Sequence, residues 1–381
     1  MANLLDYLDW RGDLTLNQAP FNEVDNLVLA ELSYLNFQGI IPGPKERDSV
    51  TIAQAAKAIF ADGRKPKMGV IVPDEVPDML EKLANCPRFS HMKLSGYVDH
   101  VDQEEGEQFA ALVIETGDRH IYVSYRGTDD TLAGWREDLE LACAPQVPAQ
   151  SMALDYLLWA ARRFPRRGLR LGGHSKGGNL AVYAGVFCNP LFQRRITEIW
   201  SNDGPGFNRD ILNLPEHRRV ADRIHTIVPK SSVVGMLLEH EETYTVVDSD
   251  HLGLWQHDGF SWQVMGDHFI TLPQLGEQAA AGSLAIREWV HSMSAQRRSQ
   301  FVKALFDVLT ASGAETLTDL KEDSLKAVVP MLKAMKDMDK ETREGIWDFL
   351  QLVLVLNTRM VLEDVQQGAK RWGESFRSKK T

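Results

Sequence analysis

One short segment constrains this chain more than any other: Leu169-Arg170-Leu171-Gly172-Gly173-His174-Ser175-Lys176-Gly177-Gly178-Asn179-Leu180-Ala181. It contains the pattern G-x-S-x-G as Gly173, Ser175 and Gly177. A β-favouring run precedes it, and a helical stretch with the small residues Ala181, Ala184 and Gly185 follows. In that setting a serine sits on a sharp strand-to-helix turn, in a strained conformation, with its hydroxyl presented outward. Side chains two residues to either side would collide with the turn, so glycine suits both places. The following helix aims its unpaired N–H groups at the place where negative charge develops. Read this way, Ser175 is a nucleophile. The alternative is a glycine-rich turn whose serine only caps the helix.

The pattern around the segment is an alternation of strands and helices. Strands are expected at Phe109–Thr116 and His120–Tyr125, joined at Gly117-Asp118, and then at Leu169–Leu171, Ile196–Ser201, Arg223–Val228 and Thr243–Val247. Helices are expected at Ser151–Phe164 and Gly178–Phe187. Elements of this length in this order predict a largely parallel sheet covered on both faces. Apolar residues before about residue 60 recur at helical spacing, as in Val24, Leu27, Val28, Leu32 and Leu35, whereas Arg64–Pro87 has no clear pattern. From about Leu275 onward the chain reads as almost wholly helical, for example at Leu284–Met293, Phe301–Leu309 and Ile346–Leu362. The expected organisation is an N-terminal helical segment (1–65), an α/β core (66–274) and a C-terminal helical region (275–381).

Charge and composition narrow the function classes. A net charge of −11 repels phosphate backbones and argues against general nucleic-acid binding. Two basic clusters stand against that field: Arg162, Arg163, Arg166, Arg167 and Arg170, and the tail with Lys370, Arg371, Arg377, Lys379 and Lys380. A solvated helix end and a frayed terminus explain them more simply than contact with anionic lipid heads. The cysteines Cys86, Cys143 and Cys188 form neither a disulfide framework nor a metal-ligand spacing. No phosphate-binding glycine loop or dinucleotide fingerprint occurs, so no cofactor and no metal are expected. Met1–Asp6 lacks a basic start followed by an apolar stretch, and the apolar run Leu352–Leu356 is too short to span a bilayer. A cytoplasmic protein without stable membrane insertion is the expectation; the oligomeric state is left open.

Several segments together resemble a known family. Gly173-His174-Ser175-Lys176-Gly177-Gly178 is similar to the Gly-His-Ser-Leu-Gly-Gly elbow of class 3, fungal-type lipases. Val123-Ser124-Tyr125-Arg126-Gly127-Thr128 is similar to that family's Phe-Arg-Gly-Ser/Thr element, and Asp203-Gly204-Pro205-Gly206-Phe207-Asn208 to its Gly-x-Pro-x-x-Gly-Asn segment. His257, in Gln256–Trp262, stands where these lipases carry their catalytic histidine. The resemblance spans roughly residues 105–270 and is closest to a bacterial branch of lipase-like hydrolases. It implies an α/β-hydrolase fold: a mostly parallel sheet flanked by helices, with additional N- and C-terminal helical segments. It also implies a serine hydrolase that cleaves a small carboxylic ester or lipid through an acyl-serine intermediate. The backbone N–H of Lys176, next after the nucleophile, is the expected first oxyanion donor. The resemblance adds Thr128 as the second, with Asp138 as a carboxylate supporting that loop.

The serine needs a base, and the family order is serine, acid, histidine. Seven histidines follow Ser175: His217, His225, His240, His251, His257, His268 and His291. His225 falls inside an expected core strand. His257 lies after the last one, on a loop with Gly253 and Gly259, and is favoured over His251 and His240. The acid departs from the family pattern. Where lipases place an aspartate, this chain reads Pro229-Lys230-Ser231-Ser232-Val233-Val234-Gly235, without a carboxylate. Asp203 is the favoured substitute. A neutral hydrogen bond from Ser232, or a carboxylate from Glu239, Asp248 or Asp250, are the alternatives. The departure keeps open a weak or inactive hydrolase fold used for binding or scaffolding, and a thioesterase or peptidase on the same frame.

Overall fold

The computed structural model describes residues 2–378 except 142, 143, 145, 241, 242 and 323. Cys143, Lys379 and Lys380 lie outside the described residues, as do the side chains of His291, Lys370, Arg371 and Arg377. Four strands begin the sheet as an antiparallel series: β1 (Val50–Thr51), β2 (Lys93–Asp102), β3 (Glu107–Glu115) and β4 (His120–Tyr125). From β4 the pairing turns parallel through β5 (Gly168–His174), β6 (Ile196–Asn202), β7 (Ile224–Pro229) and β8 (Tyr244–Val247). A small hairpin, β9 (Val264–Met265) with β10 (His268–Phe269), precedes β11 (Thr271–Leu272), which closes the far edge antiparallel to β8. The sheet order is β1-β2-β3-β4-β5-β6-β7-β8-β11. This mixed, mostly parallel sheet with helices on both faces is an α/β-hydrolase-type fold.

Helices precede, interrupt and follow the sheet. In chain order they are α1 (Leu4–Arg11), α2 (Glu23–Glu31), α3 (Ile52–Ile59), α4 (Glu75–Asn85), α5 (Leu132–Leu141), α6 (Pro148–Arg163) and α7 (Lys176–Phe187). Three short turns of helix follow, α8 (Pro190–Gln193), α9 (Arg209–Leu212) and α10 (Pro215–Arg218). The C-terminal set is α11 (Glu277–Ser292), α12 (Ala295–Thr310), α13 (Leu317–Glu322), α14 (Ser324–Asp337) and α15 (Lys340–Ser378). Parallel neighbours need a crossover, and α6 and α7 supply those on either side of β5.

Strand periodicity divides the core in two. Leu112, Ile114 and Tyr122 point to the face that α1 to α4 cover, through Tyr7, Leu27, Val28, Ile52 and Leu80. Ala111, Val113 and Val123 point to the other face, under α6 and α7. The N-terminal helices therefore share a core with the sheet, and a buried ion pair joins Arg88 to Asp25 on α2, with Nε 2.7 Å from Oδ1.

The C-terminal helices build two further apolar clusters. One gathers Phe301, Val302, Phe306 and Ile346 around Leu132 of α5, and the other sets Ala279, Leu356 and Met360 against Val233. The apolar part of α15 extends well beyond Leu352–Leu356: the segment Lys340–Gln366 contains an 18-residue window of mean hydropathy 1.3, long and apolar enough to cross a membrane by length and composition alone. That observation corrects the sequence-based length estimate for this segment, because Ile346, Trp347, Val361 and Leu362 extend the apolar character on either side of Asp348 and Arg359.

Candidate functional site

Strand β5 ends at His174 and α7 begins at Lys176, which leaves Ser175 alone at the turn. Its backbone lies at φ 56° and ψ −132°, a conformation that costs an L-residue free energy and persists only where its surroundings impose it. The glycines are steric requirements. A Cβ on Gly173 would stand 2.4 Å from the Gly177 carbonyl carbon, and one on Gly177 would stand 2.1 Å from the Tyr125 carbonyl oxygen. Ser175 keeps 9% of its surface exposed, and among the described residues its hydroxyl makes no hydrogen bond.

Asp203 follows β6 directly, is fully buried, and also has a positive φ, 48°. Its Oδ2 accepts a 2.6 Å hydrogen bond from Nδ1 of His257, which ends a short 3-10 helix over Gly253–His257. That bond assigns the proton to Nδ1 and leaves Nε2 as the basic nitrogen. The Ser232 hydroxyl donates to the other oxygen, Oδ1, at 2.5 Å. Ser232 thus stands behind the carboxylate instead of on the imidazole. Gly235 makes room there, since a Cβ would lie 2.3 Å from Asp203 Oδ1.

The remaining candidates are engaged elsewhere. His251 Nδ1 faces the Trp255 carbonyl, His240 Nε2 faces the Gly235 carbonyl, and His225 stacks on Trp200 with ring centroids 4.2 Å apart. Glu239 pairs with Arg209, and Asp248 accepts from the Ser249 backbone. Asp250 is exposed, and its backbone N–H donates to the Ser261 carbonyl.

The segment Arg126-Gly127-Thr128 rests on the elbow. A Cβ on Gly127 would lie 3.2 Å from Ser175 Cβ and 2.5 Å from the His174 carbonyl oxygen. Thr128 is buried, and its hydroxyl lies 2.6 Å from Asp138 Oδ2. Burial pushes the Asp138 carboxyl up to about 6, against the lowering effect of the Lys176 charge. Lys176 itself turns inward: its ammonium donates to Glu137 Oε2 at 2.8 Å and to Gln108 Oε1 at 2.6 Å. Its side chain thereby ties α7 to α5, while its backbone N–H stays at the start of α7.

Three residues escaped the sequence reading. His174 stacks on His257, with centroids 4.6 Å apart, and its Nε2 donates to the His257 carbonyl at 2.8 Å. Its Nδ1 is then an acceptor, matched by the Tyr34 hydroxyl at 3.2 Å. Burial holds His174 well below the usual histidine range, consistent with a neutral ring. Glu31 lies beside it, fully buried, and burial raises its carboxyl well above the usual range. Tyr34 and Glu31 come from the N-terminal segment, distant in sequence, and no local motif announces them.

Among the described residues, no group of three or more His, Cys, Asp or Glu could hold a metal ion. A family model described as Mbeg1-like matches residues 83–307, more than half of the chain, and that span contains Thr128, Ser175, Asp203 and His257. The chain belongs to the Mbeg1-like family. Helices α13 to α15 lie beyond the segment that the Mbeg1-like model covers. No curated protein matches the chain. Among solved structures, a fungal lipase–inhibitor complex, described as a model for interfacial activation in lipases, is similar at 12% identity and a TM-score of 0.35. The match covers 65% of this chain and 80% of that one.

Proposed function

We propose that this Mbeg1-like chain is a serine hydrolase that cleaves carboxylic esters, lipids among them, by way of an acyl-serine. The observation that carries the reading is the 2.6 Å bond from His257 Nδ1 to buried Asp203, beside a serine held in a strained strand-to-helix turn. In this reading His257 Nε2 takes the hydroxyl proton as Ser175 Oγ attacks the ester carbonyl. The oxyanion meets the backbone N–H groups of Lys176 and Thr128. Collapse expels the alcohol, which receives the proton from Nε2, and water then repeats the cycle to release the acid and free Ser175. Asp203 keeps Nδ1 protonated and stabilises the imidazolium. Ser232 and Gly235 let Asp203 take the role from the end of β6, while lipases place their acid after the next strand.

A fluorophosphonate probe tests the reading. Wild-type protein labels at one serine and Ser175→Ala does not; labelling that persists in Ser175→Ala, or is absent from wild type, overturns it. Matched ester, thioester and amide substrates then separate an esterase from a thioesterase or a peptidase on the same scaffold.

A further inference from the structure

His257 ends a short 3-10 turn that is tied to other parts of the chain. Two backbone bonds at its ends are long: Trp255 N–H to Leu252 C=O and Asp258 N–H to Trp255 C=O, both 3.3 Å. The anchors come from elsewhere, and several converge on one carboxylate of the C-terminal helix. Asp364, on α15, is 4% exposed. Its Oδ2 accepts from the Gly253 N–H at 2.8 Å and from Gln256 Nε2 at 2.8 Å. Its Oδ1 lies 3.0 Å from the Lys230 ammonium, and the Ser231 hydroxyl bonds to it at 3.2 Å. Gln256 returns the connection by accepting from the Ser231 N–H at 3.1 Å.

The placement of these partners matters. Lys230 and Ser231 begin the segment that brings Ser232 onto Asp203, while Gly253 and Gln256 belong to the segment that ends at His257. A single buried carboxylate thus cross-links the support of the acid to the support of the base. Asn357, two turns earlier on α15, adds a 3.1 Å bond from the Leu254 N–H. Gly253 has φ +57°, and a Cβ there would lie 2.5 Å from Asn357 Oδ1, so helix and loop meet with no side chain between them.

We propose that Asp364 is a positioning residue for the His257–Asp203 pair, so that the C-terminal helix is a working part of the active site. The inference rests on the hydrolase reading above for its catalytic consequence, but not for its structural one. A buried carboxylate with three neutral donors and a cation loses a bond and its charge match when it becomes an amide. A displacement of about 1 Å at a catalytic group can cost a hundredfold in rate.

The experiment compares full-length wild type, Asp364→Asn, Lys230→Met and Ile346→Ala. Ile346 lies on the same helix, packs in the other apolar cluster with Phe301 and Leu132, and that cluster holds no residue of the loop. Each protein is measured for deuterium uptake in peptides covering residues 252–258, for the rate of fluorophosphonate labelling at Ser175, and for thermal midpoint. The expected result is faster uptake in that peptide for Asp364→Asn and Lys230→Met, with labelling slowed about tenfold or more. Ile346→Ala is expected to lower the midpoint while leaving uptake and labelling rate near wild type. If Asp364→Asn does not fold, Lys230→Met decides on the same readouts. Unchanged uptake at 252–258 in the polar variants, or equal losses in Ile346→Ala, overturns the proposal. Absence of labelling in wild type overturns the hydrolase reading instead, and the uptake comparison still decides the role of Asp364.

Discussion

The proposed chemistry depends on single atoms whose placement carries a cost. Ser175 and Asp203 are two of only three non-glycine residues with positive φ among the described residues; Asp203 bonds the His257 ring, and Ser175 follows His174, which stacks on it. Such strain is retained where the surrounding structure over-determines it. Asp203→Asn keeps the shape and removes the charge, leaving the imidazole free to adopt the wrong tautomer; ester turnover is expected to fall by roughly three to four orders of magnitude, measured as kcat at saturating substrate. Asp138 makes a prediction about stability. Its carboxyl rises from 3.8 to about 6 on folding, so the native state holds that proton more tightly than the unfolded chain does. The stabilisation is fully present below about pH 4 and is lost as pH rises through 6, on the order of 3 kcal/mol. Urea midpoints for wild type and Asp138→Asn, measured from pH 4 to 7, should diverge in favour of the amide as pH increases. A constant difference would mean that Asp138 ionises alike in both states. At this scale, the serine and its glycines were legible because the motif is local. The pairing of His257 with Asp203 was open because the two are 54 positions apart, and nothing in spacing chooses one carboxylate among several.

Elements were legible in proportion to how regular they are. Strand β4 covers His120–Tyr125, the residues that its alternation indicates, and β3, β6, β7 and β8 begin or end within a few residues of expectation. Strand β2 was missed, for a visible reason. Its register shifts between Ser95 and Val98, around Gly96 at φ 68°, so the period-two pattern breaks in mid-strand. Strand β5 was read short, as Leu169–Leu171, although it runs on to His174; two glycines look unlike a strand until close neighbours explain them. Gly172 lies against the Tyr122 hydroxyl, where a Cβ would be 2.1 Å away. The bulge in β2 gives a test. A methyl at Gly96 would lie 2.2 Å from Trp159 Cη2 and would also have to accept a positive φ. Gly96→Ala is expected to lower stability by about 2 kcal/mol or more, read as a fall in thermal midpoint or urea midpoint. A midpoint within error of wild type would show that the helix under Trp159 yields instead.

For the molecule as a whole, the question is where the C-terminal helices belong. Helix α15 exposes Trp347, Leu354, Val355, Leu362 and Val365, and by composition a stretch of it could cross a bilayer. The same helix carries Asp364 into a buried pair with Lys230, with side chains 2% and 8% exposed. Drawing it into a membrane would strip that pair and leave Lys230 buried without its partner, at a cost of several kcal/mol. Alkaline carbonate extraction of cells expressing the chain is therefore expected to release it; retention in the membrane pellet would favour a spanning α15. Local order of residues was enough for the α/β alternation, the strand-to-helix turn at Ser175 and the histidine-bearing loop, because those depend on neighbours within a few positions. Which carboxylate meets His257, why Glu31 and Tyr34 stand beside His174, and why a C-terminal helix reaches the loop that carries His257 were decided only when strands far apart in the chain came side by side. Burial and hydrogen bonding between distant segments leave no periodic trace along the chain.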